Sequence, residues 1–193
     1  GYKNLKIVLF CDASYNKRQG KDSYSSYVAF VCDKQAKGLN EVTGSTIFKS
    51  TLFDYDCKRL NPSPKSPMAA ECSAVNLAID TALYLKKYLV ELGLMDALEP
   101  VEIITDSTCV ISKSASTNFP TDASIVGDLN RIRDFVLLNQ VKLNFIHGTR
   151  NLADCLTKVK NCNETKQLLI KALRNCETEY NIDNPERTDT IAF

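Results

Sequence analysis

The stretch between Ser66 and Gly93 constrains the fold more than any other part of this chain. Ser66 followed by Pro67 is a helix start, a capping hydroxyl and then a proline where a missing N–H does no harm. The pattern predicts a helix to about Leu92, stopped by Gly93. Met68, Ala70, Val75, Leu77, Ala78, Ala82, Leu83 and Leu85 spread over most of its circumference, so it has to be covered nearly all round. Such a helix is central, and the rest of the chain must supply a sheet and further helices to enclose it.

The flanking segments read accordingly. Residues 5–14 are a buried strand ending in a small polar turn; residues 24–32 are a second strand and 42–53 a third. The short polar links at 16–22 and 33–41 suit an antiparallel meander. Residues 57–67 hold three prolines and read as a loop. Beyond the long helix, residues 101–106 are a short apolar strand, and Ser107 caps a helix to about Thr117. Residues 122–139 are an amphipathic helix and 141–147 a fifth strand. Asn151 is expected to cap a last helix carrying Leu152, Cys155 and Leu156 and continuing through residues 168–173. Three antiparallel strands followed by two helix-linked parallel ones make an α/β fold, a five-stranded mixed sheet flanked by helices. Residues 1–176 form the expected domain, and 177–193 a polar, loosely ordered tail.

Composition excludes several classes. With 44% hydrophobic and 24% charged residues, the 193-residue chain is globular rather than disordered. No window approaches the roughly 18 consecutive apolar residues of a membrane helix, so no membrane partner is expected. The first residues lack the apolar stretch of a secretory signal, and the missing initiator Met suggests a piece of something longer. The net charge of +1 means that any nucleic-acid contact comes from local placement of charge. Eight cysteines include no CxxC pair, which argues against a structural zinc site. Cys11, Cys32, Cys72 and Cys109 fall in apolar patterns, where a free thiol packs as a small hydrophobe. A reducing, intracellular compartment follows.

Four acids stand at the ends of these elements. Asp12 is near the end of the first strand, Glu71 is in the second turn of the long helix, Asp106 ends the fourth strand, and Asp154 opens the last helix. If strands one and four are neighbours, Asp12 and Asp106 share a sheet edge, with Glu71 and Asp154 delivered by helix starts. Gathered like charges push a pKa up unless a cation compensates them. Carboxylate oxygens are what Mg²⁺ prefers, with Mn²⁺ a possible substitute. Two such ions about 3.5–4 Å apart activate a water and stabilise the departing 3′ oxygen of a phosphodiester. Singly, the aspartates also read as a turn former or a first-turn acid; only Glu71, a charge in an apolar helix, demands a partner.

The segments Cys11-Asp12-Ala13-Ser14-Tyr15, Ser66-Pro67-Met68-Ala69-Ala70-Glu71, Thr105-Asp106-Ser107 and Asn151-Leu152-Ala153-Asp154-Cys155-Leu156-Thr157-Lys158 resemble the ribonuclease H domain of LTR retrotransposon Pol polyproteins. The last segment looks most like the copia type, and Asp12-Ala13-Ser14 is also common in the BEL/Pao type. The resemblance spans residues 5–160. It implies the ribonuclease H-like fold, two Mg²⁺ ions on Asp12, Glu71, Asp106 and Asp154, and hydrolysis of the RNA strand of RNA–DNA hybrids. It further implies a reverse transcriptase domain upstream in the same polyprotein and a cytoplasmic virus-like particle as the setting. Many ribonucleases H carry a histidine where His147 stands, with a role in proton transfer or product release; the segment from His147 to Asp154 is shorter here than in cellular and retroviral relatives.

Ser14, Tyr15, Ser107, Thr108 and Arg150 are the candidate substrate-binding residues, their hydroxyls and backbone reading 2′-hydroxyls. Lys158, Arg131 and Arg133 join Arg150 as candidate phosphate contacts. The alternative is a catalytically inactive ribonuclease H-like scaffold or tether in a nucleoprotein complex, though a degenerate copy usually loses an acid. An integrase-type core fits less well, since its last acid stands in a different helical context.

Overall fold

The computed structural model describes residues 4–16, 22–42, 44–116, 123–158 and 162–180. Six strands form one sheet in the order β5-β4-β1-β2-β3-β6: β1 (Leu5–Ser14), β2 (Tyr24–Asn40), β3 (Ser45–Arg59), β4 (Val101–Thr105), β5 (Val141–Phe145) and β6 (Glu177–Tyr180). β1 runs parallel to β4, and β4 to β5; the β1–β2, β2–β3 and β3–β6 pairs are antiparallel. The five expected strands are therefore present in the expected sense, and a sixth is added.

The long helix α1 (Pro67–Glu91) begins as its sequence dictates, with the Ser66 side chain accepting from the Ala69 amide at 3.1 Å. It ends at Gly93, whose φ of +71° suits a residue without a Cβ. α1 packs Val75, Ile79 and Ala82 on the sheet face made by Ile7, Leu9, Ala29 and Ile103, with α3 (Ala123–Leu137) beside it. α2 (Thr108–Ala115) leads from β4 toward that layer. The opposite face carries Val8, Phe10, Phe30 and Ile104 and is covered by Leu152, Ala153 and Ala172. β1 thus buries both of its faces, which is why it reads as a continuous apolar run.

Three expectations are corrected. β2 and β3 extend well past residues 32 and 53, so residues 33–40 are strand rather than link, and Asn40 pairs with Ser45 across the reversal. Register shifts between Cys32 and Gly38 break the alternation there, which hid the strand. The last helix is divided: a 3-10 turn at Gly148–Arg150, the short α4 (Asp154–Thr157), and a separate α5 (Asn163–Asn175). Lys158 leaves α4 in extended backbone, which ends the helix; 159–161 lie outside the described residues, as do Thr117 and Asp122 at the expected helix ends. The tail expected after residue 176 also begins inside the sheet. β6 pairs with residues Thr46–Lys49 of β3, its Thr178 and Tyr180 buried and Tyr180 stacked on Phe48 at 5.3 Å. Residues 181–193 lie outside the described residues.

Two opposite charges are buried together near the amino ends of β1 and β4. Lys6 on β1 donates to Glu102 on β4 at 3.1 Å, its ammonium 3.7 Å from the Phe48 ring centre and 5.2 Å from that of Tyr180. Asn144 on β5 reaches the other Glu102 oxygen at 3.4 Å. Beyond β6, the amides of Tyr55 and Cys57 on β3 donate to the carboxylates of Asp54 and Asp56 immediately before them, at 2.9 and 2.7 Å.

Candidate active site

The parallel register of β1 and β4 sets Phe10 opposite Ile104. Two residues further on, the same pairing brings Asp12 and Asp106 side by side at the carboxyl ends of neighbouring strands. α4 starts at Asp154 and delivers the third carboxylate. One oxygen from each of Asp12, Asp106 and Asp154 lies within 4.8 Å of the others, with Asp12 and Asp154 buried. Glu71, in the second turn of α1, stands outside that tight triplet but is coupled electrostatically to Asp12 and Asp106. Its Oε2 is buried and has no hydrogen-bond partner among the described residues.

The turn before α4 braces this geometry. Asn151 is fully buried; its Nδ2 donates to the Cys11 carbonyl at 2.8 Å and approaches Asp106 Oδ1 at 3.5 Å. Its Oδ1 accepts from the Ala153 amide at 3.2 Å, so one side chain links β1, β4 and the entry to α4. It is not the expected N-cap of the last helix: Ala153 stands at the α4 N-cap, and Asn151 closes the 3-10 turn before it. Ser26 Oγ on β2 donates to the Ala153 carbonyl at 3.0 Å. Thr157 Oγ1 donates to Asp12 Oδ2, and Lys158 Nζ to Asp154 Oδ1. Gly148 passes so close to Asp106 that a Cβ there would sit 2.9 Å from Oδ2.

Burial, opposed by the Thr157 hydroxyl and reinforced by Asp106, raises Asp12 to about 6. Burial followed by the charges of Asp12 and Asp106 raises Glu71 to about 8. Asp106 is also raised, chiefly by burial. These acids are held where their charged forms are poorly compensated by the protein itself. The residues fit a hard divalent cation: three carboxylate oxygens converge, and no side chain among the described residues partners the buried Glu71 oxygen.

No protein-family model matches the chain, and no curated protein matches it either. Solved structures do. RNase H1 from the halophilic archaeon Halobacterium salinarum NRC-1 superposes with a TM-score of 0.53 at 13% identity, covering 86% of this chain and 99% of that one. LC11-RNase H1 in complex with RNA/DNA hybrid gives 0.53 at 15%, covering 87% and 99%. The N-terminal RNase H domain of a Mycobacterium tuberculosis protein gives 0.50 at 13%, covering 89% and 98%. The fold is that of ribonuclease H.

On this ribonuclease H fold the candidate substrate residues divide. Ser14 flanks Asp12, its Oγ accepting from the Tyr24 amide at 3.2 Å, and the Tyr15 hydroxyl donates to the Lys65 carbonyl at 3.3 Å. Ser107 caps α2 and Thr108 is exposed beside it. Arg150 turns elsewhere: its guanidinium is held by Ser45 Oγ at 3.0 Å and Glu179 at 2.8 Å, on β3 and β6. A partner on β6 was invisible while that strand read as tail. Arg131 pairs with Asp80, and Arg133 with the Lys113 carbonyl, so both serve helix packing. His147 is exposed and caps the 3-10 turn, its Nδ1 2.9 Å from Thr149 Oγ1.

The thiols behave as packing groups near the acids. Cys11 is fully buried on the α1 side of β1, opposite to Asp12, and burial raises its pKa well above the usual thiol value. Cys32 and Cys72 are buried as expected, whereas Cys109 is exposed, because α2 turns Val110 inward instead. Thr157 and Gly148 were missed from sequence. The spacing of Asp154 and Lys158, one helical turn apart, was the available signal for a contact at this end of α4.

Proposed function

We propose that this chain is a metal-dependent endoribonuclease that hydrolyses the RNA strand of RNA–DNA hybrids, acting in the reverse transcription of a retrotransposon. The observation that carries this reading is the convergence of Asp12, Asp106 and Asp154 beside the unpartnered oxygen of Glu71. Asp12, Glu71, Asp106 and Asp154 are the proposed ligands and catalytic acids. Bound there, two Mg²⁺ ions (or Mn²⁺) would supply an activated water and charge stabilisation at the departing 3′ oxygen. Asn151 and Gly148 hold Asp106 in place for this role. Ser14, Tyr15, Ser107 and Thr108 surround the acids with hydroxyls suited to 2′-hydroxyl groups. The exposed imidazole of His147 stands one residue from Gly148, at the mouth of the site, where it can carry a proton.

A retrotransposon Pol setting is supported by the four sequence segments that resemble the ribonuclease H domain of LTR retrotransposons, the last of them most like the copia type. An upstream reverse transcriptase in the same polyprotein, and a reducing cytoplasmic particle, belong to that reading. No helix among the described residues is long and apolar enough to cross a membrane. The test is incubation with labelled RNA–DNA hybrid, double-stranded RNA and double-stranded DNA, with and without Mg²⁺. Metal-dependent cutting of the hybrid alone is the expected result. Hybrid binding without cutting would instead identify a silent scaffold.

A further inference from the structure

The acid cluster already holds a cation. The Lys158 ammonium donates to Asp154 Oδ1, and its charge acts on Asp12, Asp106 and Glu71 as well. Its neighbour Thr157 donates to Asp12, so the end of α4 clasps two of the three converging aspartates. The Lys158 side chain is 48% exposed while that of Asp154 is only 6% exposed. A flexible stem therefore reaches from solvent into the cluster, and the charge at its tip can withdraw without unpacking the core.

Resting on the metal-dependent reading above, we propose that Lys158 is a resident counter-ion that holds the acids together without divalent ions and vacates the cluster when they bind. An ammonium offers one charge and only donors, enough to soften the repulsion among these carboxylates but not to cancel it. Two divalent ions bring more charge to the same oxygens, so binding is a substitution in which the ammonium opposes the incoming metal. Lys158 is thus a positioning residue in the empty site and a competitor in the loading one.

Calorimetric titration of the full chain with MgCl₂, without nucleic acid, separates these roles when paired with thermal unfolding in both metal states. Lys158→Met should bind Mg²⁺ about fivefold more tightly, the scale expected for a half-exposed ion pair. It should also melt below the wild type without metal and level with it at saturating Mg²⁺. Lys166→Met, an exposed charge-matched control on α5, should match the wild type in both measurements. Unchanged or weaker Mg²⁺ binding by Lys158→Met overturns the proposal, as does an equal melting loss with and without metal. If the wild type and Lys158→Met both fail to bind Mg²⁺, the metal-dependent reading falls and takes this one with it.

Discussion

β1 and β4 bury charge at both of their ends, in opposite ways. Toward their amino ends Lys6 meets Glu102 at 3.1 Å, walled by Phe48 and Tyr180 and joined by Asn144. At their carboxyl ends Asp12 meets Asp106 and Asp154, three charges of one sign within 4.8 Å. The first arrangement balances its two charges within the protein, as a buried pair of opposite sign with a further polar contact from Asn144, although the Tyr180 hydroxyl beside it has no hydrogen-bond partner among the described residues. The second is incomplete among the described residues, where Lys158 is the one ammonium that bonds an acid of the cluster and Glu71 Oε2 has no partner. Charge balanced inside the fold serves structure, and uncompensated charge of one sign marks a candidate site.

The comparison can be broken at either end. The largest expected effect is at the incomplete end: Asp12→Asn should reduce hybrid cleavage about a thousandfold. Its metal-free melting temperature should stay level or rise, because one repelling charge is gone; a cleavage rate near wild type would sink the site assignment. At the balanced end, Lys6→Met should cost about 3–5 kcal/mol in urea unfolding, since it strands Glu102 in the core. Replacing both partners by apolar residues should restore much of that loss, a recovery the carboxyl end cannot show. Ending the chain after Cys176 removes Tyr180 from the same network and should cost about 3 kcal/mol, the scale of losing a buried aromatic ring.

Smaller effects sharpen the contrast. Gly148→Ala should weaken Mg²⁺ binding about tenfold, the scale typical of outer-shell changes, by pressing a methyl group against Asp106. Full affinity in calorimetry would mean that the turn yields and Gly148 sets nothing. Last is a pH dependence. Asp12 and Glu71 hold protons in the folded chain at pH values where the unfolded chain has released them, so the metal-free protein is fully favoured below their ordinary values of 3.8 and 4.5. That contribution is lost as pH rises through about 6 and about 8. Melting curves should therefore show metal-free stability declining across this window, and Mg²⁺ stabilising the protein more strongly as pH rises. A flat metal-free profile would show that the acids are already compensated.

What was legible in the sequence was whatever burial on both faces had written there. β1, β4 and α1 are continuous apolar stretches closed by Asp12, Asp106 and a proline start, so their identity and the acids they carry could be read directly. Outer parts of the sheet left no such trace. In β3 past Phe53 the inward positions are Asp54 and Asp56 and the exposed ones Tyr55 and Cys57, which inverts the usual alternation. β6 is four residues long, with only Thr178 and Tyr180 turned inward. The ion pair of Arg150, which was expected as a substrate contact, was illegible for the same reason, since its acid partner lies on that strand. At the site, the convergence of three aspartates was foreseeable from strand order, but the looser placement of Glu71 and the bracing by Asn151 depend on loop paths with no periodic signature.

Beyond β6, no strand among the described residues pairs with the outer half of β3, and an unpaired strand flank invites strands from other molecules. Here Asp54 and Asp56 occupy the amides of Tyr55 and Cys57 that a visiting strand would need. Charged side chains line the same border, Asp56 pairing there with Lys58 at 2.8 Å. The protein thereby discourages stacking into filaments at a place where two exposed aromatic rings, Phe53 and Tyr55, would otherwise favour it.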